Sequence, residues 1–244
     1  MIQLNPSDAA HRSAMYKILI AIADDPVLSH SLIFKGGTAA AMLGFLDRFS
    51  VDLDFDRMKR ATHTSVEKNL ESIFSNLSLP VVKKHPNVLM YRVRYADTPA
   101  ARATVKVSVN EEFVASSIFA PQYLPDIDRT MICQTKESMV SHKWVALINR
   151  YTKHKEIAGR DVYDIHEFLL RGYAYDPDII KEQTGYSAPV YIKKMIAFIQ
   201  KHVIQQIIDE DLNILLSPTS FQSLRKVLVP ETLTLLRTEL AKLV

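Results

Sequence analysis

The chain has 244 residues, of which 48% are apolar and 23% charged, the composition of an ordinary globular protein. Thirty basic against 27 acidic residues give a formal net charge of +3, which by itself selects no class of partner. No apolar run has the length of a membrane helix, residues 1–10 do not form a signal peptide, and the single cysteine, Cys133, cannot form an internal disulfide. We therefore expect a cytoplasmic protein without a membrane segment.

The predicted elements change in character near residue 131. Before it, alternating and helix-periodic patterns predict strands over 31–34, 51–56, 88–95 and 103–110, the last two antiparallel, and helices over 7–23, 38–46 and 65–77. Pro121 and Pro125 indicate a loop region. After it, Leu- and Ile-rich segments predict helices over 136–151, 161–170, 190–209 and 230–243. The order predicts an α+β domain over 1–132 followed by a helical domain over 133–244.

Three aspartates in the predicted strand 51–56 carry the clearest chemistry. Side chains alternate faces along a strand, so Asp52, Asp54 and Asp56 share one side. Carboxylates two residues apart stand roughly 7 Å from each other and can reach one divalent cation, or two bridged by a phosphate. Oxygen-only ligands suit Mg²⁺, which takes substrate phosphates as further ligands. Asp52 and Asp54 are therefore candidate metal ligands.

A Gly-Gly pair, Gly36 and Gly37, precedes this strand in the sequence. The residue after the pair, Thr38, can add a hydroxyl. Glycines let backbone N–H groups approach a phosphate, and the start of a helix favours negative charge. A phosphate cradle beside metal-binding carboxylates is typical of transfer from a nucleoside triphosphate. Taken alone, Asp-x-Asp more often marks a solvated strand edge and Gly-Gly-Thr a simple turn. Their order and spacing together favour the functional interpretation.

Four separated motifs resemble those of the AbiEii/AbiGii-type nucleotidyltransferase toxins, members of the polymerase-β-like superfamily. The first two are Lys35-Gly36-Gly37-Thr38 and the run Arg48–Phe55; the others are Ser141–Leu147, similar to the family's lysine helix, and Gly159–Ile165, similar to its Arg-Asp-x-Tyr-Asp segment. The resemblance implies a polymerase-β-like fold with a mixed sheet. It also implies Mg²⁺-dependent transfer from an NTP to RNA, with a tRNA 3′ end as the acceptor, a block of translation, and a cognate antitoxin partner.

The resemblance also implies roles for individual residues. The implied catalytic residues are Asp52, Asp54, Lys143 and Asp161, the last two brought to the cleft by the helical domain, and the implied nucleotide-binding residues are Lys35, Gly36, Gly37, Thr38, Ser50 and Lys143. On its predicted helix Lys143 lies in an apolar stripe, where a lysine can also simply extend its amine to water. Asp161 lies at a helix start, where an acid can also serve only as a cap or dipole partner.

The sequence departs from the superfamily pattern at one position. Such enzymes commonly carry a third carboxylate on a later strand, as metal ligand and general base, but Ser108 stands at that position, on the Lys106/Asn110 face of the strand 103–110. A serine hydroxyl is no base at neutral pH. Asp56, Glu111 or Asp161 could substitute, or the metal alone could activate the acceptor.

Basic residues are concentrated in 83–106, which contains six lysines or arginines and one acid. Arg92 and Arg94 share a strand face and, with Lys106 and Arg150, are candidate contacts for an RNA backbone. Scattered solvated charge explains the same pattern equally well. Tyr91 and Tyr95 could stack on bases or face the core.

Three functions are compatible with the sequence. The first is a nucleotidyltransferase toxin acting on RNA. The second is a nucleotide-binding or interaction module that has lost turnover, which the serine at position 108 motivates. The third is a nucleotidyltransferase acting on a small hydroxylated molecule.

Overall fold

The structure, a computed structural model, describes residues 6–96 and 103–243. The strands in these ranges are β1 (Leu32–Lys35), β2 (Asp52–Arg57), β3 (Val81–Lys84), β4 (Leu89–Arg94), β5 (Thr104–Asn110), β6 (Phe119–Leu124) and β7 (Arg129–Gln134). The helices are α1 (Pro6–Asp24), α2 (Gly36–Met42), α3 (His63–Asn76), α4 (Lys136–His154), α5 (Gly159–Leu170), α6 (Pro177–Thr184), α7 (Ala188–His202), α8 (Gln205–Leu212), α9 (Pro218–Leu224) and α10 (Leu228–Ala241).

The strands form one mixed sheet in the order β3-β4-β5-β2-β1-β7-β6. The pairs β2/β5 and β1/β7 are parallel, and the other four neighbouring pairs are antiparallel. The predicted α+β class with a mixed sheet is confirmed, as is the antiparallel pairing of β4 with β5.

The two faces of the sheet differ in chemistry because side chains alternate along each strand. Leu53 and Phe55 of β2 and Tyr91 of β4 are buried on the face that packs against α1 and α3. Burial of this apolar face is the main force that orders the sheet. The opposite face carries Asp52 and Asp54, which are only half-buried. The polar side chains of β2 are therefore held in place by an apolar core directly beneath them.

The C-terminal helices lie beside that polar face, where residues of α4 line cavities together with Asp54. Helix α4 starts where the Thr135 side chain accepts a hydrogen bond from the Ser138 N–H, and it ends at Lys155 in the left-handed conformation (φ 58°). Helix α5 packs against α4, α8 and α10. Within the described part of the chain, no helix is long and apolar enough to cross a membrane.

Several boundaries differ from the predictions for identifiable reasons. The predicted helix 190–209 is two helices, α7 and α8, separated at 203–204. Helix α2 stops at Met42 because the chain turns at Gly44, whose φ of +74° favours glycine. Pro121, predicted in a loop, lies in β6, an edge strand that tolerates a missing N–H. Strands β3, β6 and β7 and helices α6 and α9 were not predicted. The proposed division at residue 132 falls inside β7.

Candidate active site

Asp52 and Asp54 point to the same side of β2, as the strand alternation predicts. Asp54 lies opposite Ser108 in the parallel β2/β5 register, and the Ser108 hydroxyl donates a 2.5 Å hydrogen bond to Asp54 Oδ1. Asp52 Oδ2 lies 4.0 Å from Lys106 Nζ. The serine at position 108 therefore orients a carboxylate instead of supplying one.

The Gly-Gly bend lies directly against this pair. Gly36 opens α2 with φ +79°, a conformation that side chains other than glycine rarely adopt. A Cβ atom at Gly36 would lie 2.9 Å from Asp54 Oδ2, so any side chain there would displace the carboxylate. The backbone amides that open α2 have no intrahelical acceptor. Free amides and a carboxylate thus border the same space.

We expect Gly37→Ala to lower nucleotide transfer at least about tenfold, because its Cβ would lie 2.5 Å from Arg48 Nη2 and Arg48 is held rigidly (below). Gly44→Ala is the matched control, since no atom lies within 4 Å of a Cβ there and only the left-handed backbone is strained. Initial rates of label transfer measure both variants. Equal rates would show that the bend tolerates a displaced Arg48.

A buried ion network ties this bend to the helices. Arg48 Nε and Nη2 donate to both oxygens of Asp164 at 2.5 and 2.7 Å, and both side chains are fully buried. Lys143 Nζ lies 3.0 Å from Asp164 and 2.9 Å from Asp161, and Arg150 Nε lies 3.0 Å from Asp161. Charges alternate along the network and both ends are arginines. Lysine has three donors, so Lys143 retains one beyond its two carboxylates.

The charges in this network fix its protonation. Burial alone would raise the pKa of Asp161, but the positive charges of Lys143 and Arg150 outweigh it and hold that pKa at about 2. Burial would lower the pKa of Lys143, and Asp161 and Asp164 reverse the effect and raise it. Asp161 and Lys143 are therefore both ionised at neutral pH, and Asp161 has no tendency to accept a proton as a general base.

We expect an acid-dependent loss of stability from Asp161. Because its folded pKa lies below the ordinary 3.8, its contribution is complete above about pH 4 and is lost as the pH falls toward about 2. Urea unfolding of the wild type at pH 5 and pH 2.5 measures the loss. Asp161→Asn starts less stable at pH 5 but should lose less over the same interval; an equal loss would assign the acid sensitivity to other groups.

Two cavities meet at the Gly-Gly bend. The first, of about 120 Å³, contains Asp52 and five basic side chains, and we call it the cationic cavity. The second, of about 250 Å³, we call the amide cavity for its side-chain amides. Both are bordered by Gly36, Gly37, Asp54 and Lys143. The basic side chains of the cationic cavity are those of Arg48, Lys106, Lys143, Arg150 and Arg160.

The remaining predicted nucleotide-binding residues lie at the edge of this space. Lys35 borders the amide cavity and forms an ion pair with Asp56. The buried Thr38 hydroxyl donates to the Asp52 carbonyl and lies 2.8 Å from Ser50 Oγ, which ties α2 to β2. Ser50 borders the cationic cavity, whereas Thr38 borders neither of the two.

The carboxylates considered as substitutes for a third acid are all engaged. Asp56 accepts hydrogen bonds from Lys35, from Asn110 at 3.0 Å and from Gln134 at 2.7 Å. Glu111 binds Arg57 and His63, each at 2.9 Å. With Asp161 held by its two cations, none of the three is free to serve as a general base.

Basic residues of β5, β4 and β3 form a row that leads away from Asp52. Lys106 lies opposite Asp52, Arg92 opposite Lys106, and Lys83 opposite Arg92. Arg92 and Arg94 are exposed and form no ion pair with any other described residue. We call Lys83, Arg92 and Lys106 the basic row. Arg150, the fourth predicted RNA contact, lies in the cationic cavity, and Arg102 lies outside the described residues.

Tyr91 and Tyr95, which alternate with these arginines, do not extend the basic surface. Tyr91 is fully buried against Phe74, so it belongs to the core and cannot stack on bases. Tyr95 is half-buried, and its hydroxyl lies 3.2 Å from His11 Nδ1.

Sequence reasoning did not identify the Arg48–Asp164 pair, although both residues belong to the motifs that resemble the family. Asn110, Gln134 and the other amides carried no sequence signal.

The family model of the nucleotidyl transferase AbiEii toxin of type IV toxin–antitoxin systems matches residues 17–227. The chain belongs to this family. It is a nucleotidyltransferase. A search of the curated proteins finds no match.

Solved structures share the fold of this AbiEii-family chain at low identity. JHP933 from Helicobacter pylori is 21% identical with a TM-score of 0.60, over 98% of this chain and 96% of that one. A putative nucleotidyltransferase from H. pylori is 20% identical with a TM-score of 0.59, over 99% of both chains. The nucleotidyltransferase toxin MenT4 from Mycobacterium tuberculosis H37Rv is 15% identical with a TM-score of 0.50, over 95% of this chain and 84% of that one.

The carboxylates of the AbiEii-family site fit a hard cation that takes its remaining ligands from the substrate and from water. Among the described residues, no group of three or more His, Cys, Asp or Glu side chains could hold a metal ion. Asp52 and Asp54 offer oxygen atoms alone, which suits Mg²⁺ when phosphate oxygens and water supply the other ligands.

Proposed function

We propose that this nucleotidyltransferase transfers a nucleoside monophosphate from a Mg²⁺-bound NTP to an RNA hydroxyl, at a tRNA 3′ end, and so blocks translation. One observation carries the proposal: two carboxylates on one strand face lie against a Gly-Gly bend, in a cavity with five basic side chains. That combination matches the charge pattern of a metal triphosphate, in which cations and anions alternate.

The residues divide the work by charge. Asp52 and Asp54 would hold Mg²⁺, which when bound polarises the phosphate and stabilises the charge on the attacking and leaving oxygens. The free donor of Lys143, with Arg48, Arg150 and Arg160, would hold the phosphate oxygens. Gly36 and Gly37 let the backbone amides approach the same oxygens.

The acceptor hydroxyl oxygen attacks the α-phosphorus, the bond between that phosphorus and its bridging oxygen breaks, and pyrophosphate leaves. The hydroxyl proton passes to solvent, since Asp56, Glu111 and Asp161 are each held by cations or amides. The chain's contribution is positioning and charge stabilisation, which dominate catalysis of phosphoryl transfer.

The basic row supports RNA as the acceptor. Its cations extend from Asp52 across the open face of the sheet, at the spacing of adjacent strands, about 4.8 Å. A small acceptor would need no such extension beyond the cavity. A polyanion such as RNA would gain affinity from these cations, because each phosphate that they neutralise releases counterions.

We expect Arg92→Ala to weaken RNA binding and to reduce the slope of log K against log salt by about one. Arg237→Ala, an exposed arginine on α10, is the matched control and should leave the slope unchanged. Binding of total tRNA at four salt concentrations measures both. An unchanged slope in the Arg92 variant would remove the basic row from the acceptor path.

Labelled NTP, Mg²⁺ and total tRNA test the proposal directly. Transfer of label to tRNA that is lost in Asp52→Ala supports it. NTP binding without transfer supports the module that lacks turnover, which the engaged carboxylates favour. Transfer only to small hydroxylated molecules supports the third function.

The proposed function implies a protein partner, a cognate antitoxin, and a cytoplasmic location. NTP and tRNA meet in the cytoplasm, and a toxin of this kind requires a cognate antitoxin there. Co-expression with the products of neighbouring reading frames tests this, since one of them should relieve growth arrest and Asp52→Ala should arrest no growth without it.

A further inference from the structure

The amide cavity adjoins the site but has a different lining. Its apolar side chains include Ala40, Leu46 and Phe168. At about 250 Å³ it is slightly smaller than the clefts of roughly 300–1,000 Å³ that enclose drug-sized ligands. That size suits a nucleoside. Four side-chain amides border it, those of Asn110, Gln134, Asn149 and Gln183.

Three of these four amides are already occupied within the protein. Asn110 Nδ2 donates to Asp56 and to the Glu112 carbonyl, and Gln134 Nε2 donates to Asp56. Gln183 Nε2 lies 3.0 Å from His142 Nδ1. Asn149, on α4, is half-buried and has no hydrogen bond to any residue that the structure describes. Its carbonyl and its amino group are both available to a ligand.

Other lining residues of the amide cavity are fixed before any ligand arrives. His142 Nε2 lies 2.6 Å from the Ser117 hydroxyl, while its other nitrogen meets Gln183. Burial holds the pKa of His142 at about 4, so the ring is neutral at pH 7. The Glu182 carboxylate accepts the N–H groups of Ala115 and Ser116 at 2.8 Å. The loop between β5 and β6 is thereby held against α6.

We propose that Asn149 reads the base of the incoming NTP and sets which nucleotide is transferred. The inference rests on the proposed function. The basic row reaches the site from the Asp52 end of β2, so RNA approaches from that end, past Lys106 at the edge of the cationic cavity. The amide cavity lies at the Asp56 end, where Lys35 and Asn110 stand. Gly36 and Asp54 border both cavities. When the phosphates lie beside these two residues, the amide cavity is the space that remains for the nucleoside.

An asparagine amide presents a donor and an acceptor side by side, which pairs with one edge of a nucleobase through two hydrogen bonds. A base that fails to match leaves these groups unpaired, and a polar site discriminates strongly for that reason. An aspartate has only acceptors, so Asn149→Asp matches the adjacent donors of guanine, N1–H and N2–H₂.

The test compares kcat/KM for the four NTPs with constant tRNA. Asn149→Ala should lower the value for the preferred NTP by about 10- to 100-fold and flatten the preference. Asn149→Asp should shift preference toward GTP. Asn76 is an exposed asparagine at the end of α3, and Asn76→Ala should change neither the kcat/KM for the preferred NTP nor the preference among the four NTPs.

Three results would overturn the inference: an unchanged preference in both Asn149 variants, a wild type without preference, or a raised KM for tRNA alone. The last would assign the amide cavity to the acceptor. If the wild type transfers nothing, the proposed function fails by itself. Calorimetric titration of the same proteins with each NTP and Mg²⁺ then decides the inference, which falls if the Asn149 variants bind with wild-type preference or if no NTP binds.

Discussion

Asp54→Asn should abolish nucleotide transfer, lowering kcat by roughly a thousandfold or more. The substitution removes one of the two carboxylates proposed to hold Mg²⁺ and leaves the shape of the side chain and its partner Ser108 in place. Metal stabilisation of the transferring phosphate is worth several kcal/mol, and each ~1.4 kcal/mol is a factor of ten. Single-turnover transfer at saturating NTP and Mg²⁺ measures the change.

Folding should survive this substitution, because Asp54 is half-buried on the polar face and Arg150, whose charge it partly balances, keeps its ion pair with Asp161. Thermal melting followed by circular dichroism checks this. Asp178→Asn, an exposed carboxylate outside both cavities, should retain full activity. Transfer by the Asp54 variant within tenfold of the wild type would show that the metal is held elsewhere.

Asp164→Asn should cost about 3–5 kcal/mol of unfolding free energy, the largest stability effect expected in the protein. It leaves the Arg48 guanidinium buried and uncompensated, and breaking one half of a buried pair has that magnitude. Against a typical total of ~5–15 kcal/mol, such a loss is severe. Urea unfolding at pH 7 measures it.

Two further variants separate this effect from a general loss of charge. Asp24→Asn breaks an exposed pair with Arg129 and should cost ~1 kcal/mol or less. The double variant Arg48→Met, Asp164→Leu should recover much of the lost stability, since apolar residues often replace a buried pair without penalty. The buried pair would lose its assigned role if Asp164→Asn cost no more than Asp24→Asn, or if the double variant were as unstable as the single one.

Local patterns predicted the parts of the structure that depend on local physics. Strand alternation placed Asp52 and Asp54 on one face, and helix periodicity located α4 and α5 to within a few residues. The Gly-Gly bend was recognised because its conformation requires glycine. The resemblance to a family added the family assignment, which the family match confirms.

Contacts between distant segments were beyond local patterns. Asp164 looks like any acid near the start of a helix, and only the tertiary structure shows that it neutralises Arg48, 116 residues earlier. Strand β3 has four consecutive exposed residues and no alternation, so nothing marked it as a strand. Asn149 is one polar residue on a long helix, and only the three-dimensional structure shows that it has no hydrogen-bond partner among the described residues.

The distance along the chain between Arg48 and Asp164 has a consequence for synthesis. A ribosome that has made only the sheet has produced the bend together with Asp52 and Asp54, but the arginine behind the bend still lacks its counterion. Lys143 likewise meets Asp161 only when α5 has left the exit tunnel. A chain that stops before α5 therefore lacks the counterion of Arg48 and both carboxylates that bind Lys143.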